Sequence, residues 1–265
     1  MESNENLLSA LPTDDRLAGR TAVVTGSSSG IGEAIARVLA ASGAHVVVSG
    51  RDAEKAQRVV AAIAAQGGQA TAVTADLAAA PDEVRDFARR ASDALGGRVD
   101  ILVNNAAVYP SGPTETVSDY VLDTVLATNV RAPHVLVAQL APGMAERGDG
   151  VIVNIGSWMA RVGVSFSALY PASKAAIEQL TRAWAAEYGP RGVRVTGVAP
   201  GATATPGNAA SAELLAAATA GTPAGVPVRP VDIAWAVRYL ASAEGVFLHG
   251  TVVDVDGGIT ATRLR

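Results

Sequence analysis

The 265-residue chain has no cysteine, which removes disulfides and thiol chemistry from consideration. Its three histidines, His45, His134 and His249, are far apart and show no ligand spacing, so a metal site is not expected. No basic block appears and the net charge is −4, which argues against nucleic acid or an anionic membrane surface as partner. No apolar run approaches the ~18–20 residues of a membrane span. The first residues, Met1-Glu-Ser-Asn-Glu-Asn, lack the basic start and apolar centre of a leader, so a cytoplasmic location is the default expectation. Lysine is nearly missing too: only Lys55 and Lys174 stand against nineteen arginines.

What is present is a globular composition, 49% hydrophobic and 17% charged, of a length that suits one large α/β domain. Strand-like runs recur at 21–25, 45–49, 70–75, 99–104, 151–155, 193–198 and 251–255, mostly as continuous Val/Ile stretches. Amphipathic stretches lie between them at about 31–42, 52–66, 81–95, 118–145, 170–189 and 230–242. Alternation of this kind predicts βαβ units and a parallel sheet with helices on both faces. Residues 1–18 read as a loose N-terminal arm, and 19–265 as a single domain.

The chain centres on Thr21-Ala-Val-Val-Thr-Gly-Ser-Ser-Ser-Gly-Ile-Gly32, an apolar run that turns through glycines directly into a helical pattern. Such a turn leaves the first helical N–H groups unpaired and facing outward, a ready site for a pyrophosphate. Gly26, Ser28, Ser29, Gly30, Ile31 and Gly32 are the candidate cradle. The same residues fit G-x-S-x-G with Ser28 as a hydrolase nucleophile, although that elbow normally follows several earlier strands.

Ligands of parallel sheets bind at the carboxyl ends of strands, so each strand tip is a candidate. The second run ends in Gly50-Arg51, where a guanidinium suits a ribose 2′-phosphate and points to NADP(H) over NAD; Asp52 beside it could partly neutralise that charge. The third ends in Asp76-Leu77, a carboxylate acceptor and an apolar wall for adenine. The fourth ends Asn104-Asn-Ala-Ala107, where amides followed by small residues permit close backbone approach at Asn105 and Ala106.

Ser157 follows the fifth run, Tyr170 comes thirteen residues later, and Lys174 four beyond that. Positions i and i+4 share a helix face, so the phenol and the ammonium can converge. A cation within ~4–6 Å favours the phenolate and lowers the phenol pKa by ~1–3 units, which predicts Tyr170 as a general acid or base with Ser157 binding the same substrate oxygen.

With this set the chain resembles the short-chain dehydrogenase/reductase family, from about residue 19 to 258. The resemblance is carried by Thr25-Gly-x3-Gly-Ile-Gly32, Asp76, Asn-Asn-Ala at 104–106, Asn129, Ser157, Tyr170-x3-Lys174, Pro200-Gly201 and Asp254-Val-Asp-Gly-Gly258. It implies a doubly wound Rossmann-type domain with a seven-stranded parallel sheet. It also implies Tyr170 as acid for carbonyl reduction, Lys174 on the nicotinamide ribose, Ser157 orienting the carbonyl, and Asn129 holding a water that links Lys174 to solvent. Pro200, Gly201, Thr203 and Thr205 would meet the nicotinamide end. Arg51 after Gly50 matches the NADP-preferring pattern, though Ser29 lacks the basic residue some such members carry there. Ala107 replaces the glycine usual after Asn-Asn-Ala, which could tighten the backbone near Tyr109.

The expected function is an NADPH-dependent reductase of a bulky, largely apolar ketone. A substrate loop at about 206–228 carries no charge except Glu213, and Tyr109, Trp158 and Met159, with Val108 and Phe166, lie near the site tips. A carboxylated substrate would want an arginine, and only Arg161 is close in sequence. The alternatives are an NAD-dependent alcohol dehydrogenase of the same fold, a serine hydrolase through Ser28, and a cofactor-binding protein without turnover. A second apolar face on the helix at 170–189, through Ala172, Ala175, Ala176, Gln179, Ala183 and Trp184, and the resemblance itself, predict a homodimer or homotetramer.

Overall fold

Short β-branched runs make the centre of the molecule, and in a computed structural model, which describes residues 3–262, they pair as seven parallel strands. The strands are β1 (Thr21–Val24), β2 (His45–Val48), β3 (Gln69–Ala72), β4 (Ile101–Asn104), β5 (Gly150–Ile155), β6 (Val193–Pro200) and β7 (Val252–Val255). Their order is β3-β2-β1-β4-β5-β6-β7, so the chain reverses direction of winding between β1 and β4. That switch point opens a crevice at the carboxyl ends of the strands.

Alternation within each strand feeds two cores. Ala22 and Val24 of β1, with Ile101 and Val103 of β4, pack under α2 (Gly30–Ala41) and α8 (Pro230–Ala241). Val23 and Leu102 point the other way, toward α4 (Pro81–Ala94), α6 (Ala132–Glu146) and α7 (Leu169–Tyr188). Burial on both faces is why the strands read as continuous apolar runs. The helix α3 (Ala53–Ala65) covers β2 and β3 at the edge, with Asp52 capping it through the Lys55 N–H at 3.0 Å.

Two expectations need correction here. Within the segment read as a loose arm, Asn4–Ser9 form a helix, α1, that docks on the domain. Leu8 and Leu17 are buried in the core, the Leu8 carbonyl accepts from Arg37 and Gln66, and Asn4 Oδ1 accepts from the Val231 N–H. The long stretch at 118–145 is not one regular helix: α5 (Asp119–Leu126) passes through a π-helical segment, Ala127–Arg131, into α6. Pro133 has no N–H to give the Asn129 carbonyl four residues back, which is the local reason the α ladder rearranges. Among the described residues no helix is long and apolar enough to cross a membrane.

Candidate active site

The β1–α2 turn is held open by sterics. A Cβ at Gly32 would overlap the Gly26 carbonyl oxygen and lie 2.5 Å from Asn105 Nδ2, and one at Gly26 would lie 2.8 Å from the Ala106 Cα. Gly26 and Gly30 both have positive φ, at 63° and 59°. No side chain caps α2, whose N-cap Ser29 is extended, so its first amides remain for an anion. These features fit a dinucleotide pyrophosphate lying against the turn.

Thr25 and Ser27, which sequence reasoning left without a role, weld this turn to its neighbours. Thr25 Oγ1 accepts from the N–H groups of Asn105 and Ala106, and Asn105 Nδ2 donates to the carbonyls of Thr25 and Gly26. Ser27 Oγ donates to the Val24 carbonyl and accepts from the Ser49 N–H. Hydroxyl side chains just past the end of an apolar strand run were the available signal. Asn105 and Ala106 therefore brace the cradle, as the expected close approach requires.

Toward the sheet edge, Gly50 leaves room for Ser28, whose Oγ a Cβ at 50 would strike. Arg51 is exposed on a groove shared with Asp76, Asp82, Glu83, Asp86 and Arg90. Asp52 does not neutralise it: that carboxylate caps α3 and pairs with Lys55 Nζ at 3.7 Å. Asp76 is exposed and accepts from the Ala78 N–H, but the Leu77 side chain is sunk in the core below, so it is not the side-chain wall expected for adenine.

Across the switch point, Ser157 follows the end of β5 by two residues and is buried, with Oγ accepting from the Met159 N–H at the start of a 3-10 turn, Trp158–Arg161. Tyr170 and Lys174 come to it from α7. The Tyr170 hydroxyl is turned toward the Ser157 side chain. Lys174, 4% exposed, donates to the Ile155 carbonyl at 2.7 Å, with Nζ 5.8 Å from the Tyr170 ring centre. Burial pulls the lysine pKa from its usual value down to about 8, opposed by the charge of Glu178 one helical turn on. The phenol behaves opposite to the expectation of acidification. Burial pushes its pKa up, against the opposing effect of the Ser157 side chain, and the ammonium is turned to Ile155.

Asn129 also differs in what its side chain does. It is buried in the π segment, with Oδ1 accepting from the Val108 N–H and Nδ2 donating to the Val108 carbonyl and to Ser173 Oγ. The amide is spent on fixing the loop after β4 to α7, so the side chain is not free for the water-holding role expected from the resemblance. Ala107 carries no strain, since no described residue other than glycine has positive φ.

At the nicotinamide side, Gly201 presses so close to Asp256 that a Cβ would lie 2.6 Å from its Cα. Thr203 is buried, its hydroxyl donating to the Gly201 carbonyl, and Thr205 lies over Gly30. Tyr109, 58% exposed, stands edge-on to Tyr170 with centroids 6.3 Å apart and its hydroxyl beside Gly207. Its loop is clasped to the one before α7 by Gly112 N–H to Phe166 O at 2.7 Å and Ser167 Oγ to Pro110 O at 3.1 Å. Trp158 and Met159 are half-buried on the 3-10 turn.

Residues 20–214 match the family pattern described as short chain dehydrogenase. The chain belongs to the short-chain dehydrogenase family. It is 39% identical over 251 residues to 3beta-hydroxysteroid dehydrogenase 1 of Eggerthella lenta, covering 93% of this chain and 95% of that one. It is 34% identical over 249 residues to gluconate 5-dehydrogenase of Gluconobacter oxydans, covering 93% and 96%. A short chain dehydrogenase from Burkholderia cenocepacia, solved in complex with NADP, superposes with a TM-score of 0.83 at 39% identity, covering 93% of this chain and all of that one.

As a short-chain dehydrogenase the molecule is an NAD(P)-linked oxidoreductase, and the Ser28 hydrolase alternative has no triad to complete. His45 opens β2 at the opposite end of the sheet, His134 leans on Trp184, and His249 lies against Gly189. The second face expected on α7 is partly realised: Ala172, Gln179 and Ala183 are exposed and Ala175 and Ala176 half-buried. Trp184 is packed in the core instead.

Proposed function

We propose that the protein is an NADPH-dependent reductase acting on the carbonyl of a bulky, largely apolar ketone, with oxidation of the alcohol as the reverse reaction. The observation that carries this reading is the meeting of the Tyr170 hydroxyl, Ser157 and a buried Lys174 at the end of β5. The bound dinucleotide supplies the hydride. The turn at 26–32 holds its pyrophosphate, Arg51 its 2′-phosphate, and Pro200, Gly201, Thr203 and Thr205 its nicotinamide end.

Tyr170 is the proton donor. Burial keeps its hydroxyl protonated at neutral pH, the form that carbonyl reduction consumes. Ser157 orients the carbonyl oxygen, and the Lys174 ammonium binds the ribose hydroxyls and stabilises the phenolate left behind. Arg161 is no anchor for a substrate carboxylate, because it is locked in a bidentate pair with Asp254. With Tyr109 and Phe166 exposed at the rim, the site suits an apolar body, in keeping with a relative named for a hydroxysteroid. Assembly is a homodimer or homotetramer through the outer side of α7, and the location is cytoplasmic.

Loss of NADPH absorbance on adding aromatic or alicyclic ketones tests the reaction. Tyr170→Phe should lower turnover by ~10²–10⁴-fold while NADPH affinity stays nearly intact, and undiminished turnover rules out the assigned acid. The acids Asp82, Glu83 and Asp86 beside Arg51 favour a second reading, an NAD-dependent alcohol dehydrogenase. Titration with NADPH and NADH side by side separates the two.

A further inference from the structure

The chemistry above uses Ser157, Tyr170 and Lys174, and leaves a buried carboxylate beneath them without a task. Glu178 is 5% exposed. Its Oε1 is buried with no hydrogen-bond partner, and Gly156 faces it so closely that a Cβ there would lie 3.0 Å away. Its Oε2 is 3.7 Å from Arg161 Nε, and the Ser157 backbone N–H is directed to the carboxylate. Arg161 is anchored in turn by Asp254 on β7. A row of alternating charge thus runs from Lys174 through Glu178 and Arg161 to Asp254 at the surface. A lone buried carboxylate carries a large desolvation cost, so its retention under the strand tip needs these partners.

We propose that Glu178 is a positioning residue for proton transfer: its carboxylate, roofed by Gly156 and held by Arg161, fixes the Ser157 main chain and keeps a negative charge against the Lys174 ammonium. The inference rests on the reading of Ser157, Tyr170 and Lys174 as the reacting set. The spacing Tyr170, Lys174, Glu178 places all three on successive turns of one helix face. The charged groups around the carboxylate are Lys174 and Arg182 on α7, Arg161 on the 3-10 turn and Asp254 on β7, with Asp256 facing Arg161. Burial raises the Glu178 pKa, Arg161 and Arg182 restrain that rise, and the anion in turn supports the charge on Lys174.

The scarcity of lysine makes the test direct. In the full chain labelled at lysine Cε with ¹³C, only Lys55 and Lys174 give signals, and Lys55→Arg assigns them. Glu178→Gln should move the Lys174 titration midpoint down by about one unit, a tenfold loss of proton affinity, and Glu178→Asp, which keeps the charge, should restore most of it. The alkaline limb of kcat for ketone reduction should move with it, at little change in KM. In case Glu178→Gln does not fold, the wild type carries a second readout: an acid-side inflection of the Lys174 signal as Glu178 takes up its proton. Arg161→Gln should shift that inflection to higher pH. A Lys174 midpoint unmoved by Glu178→Gln, or no acid-side inflection in the wild type, overturns the proposal. The resonance measurement needs no turnover, so a protein inactive on every ketone would defeat the assigned reaction while leaving this result readable.

Discussion

The two sides of the β1–β4 crevice are built on different principles. On the β1 side the site is made of main chain: Gly26 and Gly32 leave no room for a single added carbon, and Thr25 and Ser27 bind backbone to backbone. On the β5 side it is made of side chains, with Lys174 and Glu178 taken out of water and balanced against each other and Arg161. The first side should be intolerant of volume and indifferent to pH. The second should tolerate isosteric change in shape and respond sharply to any change in charge.

Gly32→Ala probes the contrast with the largest expected effect. The added methyl meets the Gly26 carbonyl and the Asn105 amide, groups pinned by Thr25, so relief requires moving the turn itself. We expect dinucleotide affinity to fall more than ~100-fold, about 3 kcal/mol, at every pH tested. Isothermal titration at pH 6 and pH 9 checks both halves of that statement, and a pH-dependent loss would erase the distinction between the two sides. Arg51→Ala comes next. A charge-assisted guanidinium–phosphate contact contributes ~1.5–3 kcal/mol, so NADPH affinity should fall by ~10–100-fold while NADH affinity holds. An equal loss for both cofactors would mean that Arg51 does not read the 2′-phosphate.

The main-chain side was the more legible in sequence. Glycines at 26, 30 and 32 after a β-branched run specify a turn and helix start by themselves, and the strand runs matched the observed strands to within a few residues. Tyr170 and Lys174 were legible because helical spacing alone brings them together. The same spacing offered Glu178 one turn further, but an acid on a helix is ordinarily solvated, and only the fold shows Gly156 closing over it. The direction of the Tyr170 shift was misjudged for a related reason. Distance to a cation can be guessed from i,i+4 geometry, whereas desolvation depends on Tyr109, Ser157 and the loops that cover the hydroxyl. Docking of α1 escaped notice because its apolar residues, Leu7 and Leu8 with Leu11 just beyond, span about one helical turn in a polar stretch, too short for a sustained periodic signal.

Lys174→Met should abolish activity but give the smallest free-energy change of these substitutions, and it separates stability from catalysis on the charged side. The native lysine pKa is depressed to about 8 from 10.5, so between those values the unfolded chain binds more protons than the folded one. Stability from this group is therefore full above the unfolded value and lost as pH falls through the native one. At neutral pH the buried ammonium costs the fold ~3 kcal/mol relative to its neutral form, a net cost that already includes the relief from the Glu178 charge, and its hydrogen bond to Ile155 offsets about 1 kcal/mol of it. The variant, which has neither the cost nor the bond, should be inactive yet ~1–2 kcal/mol more stable at pH 7. Urea unfolding at pH 7 and pH 10 should show that advantage shrinking as the wild type sheds its proton. A variant less stable by the same margin at both pH values would mean that the ammonium is held at no cost, and the charged side of the crevice would be as rigid and pH-blind as the glycine side.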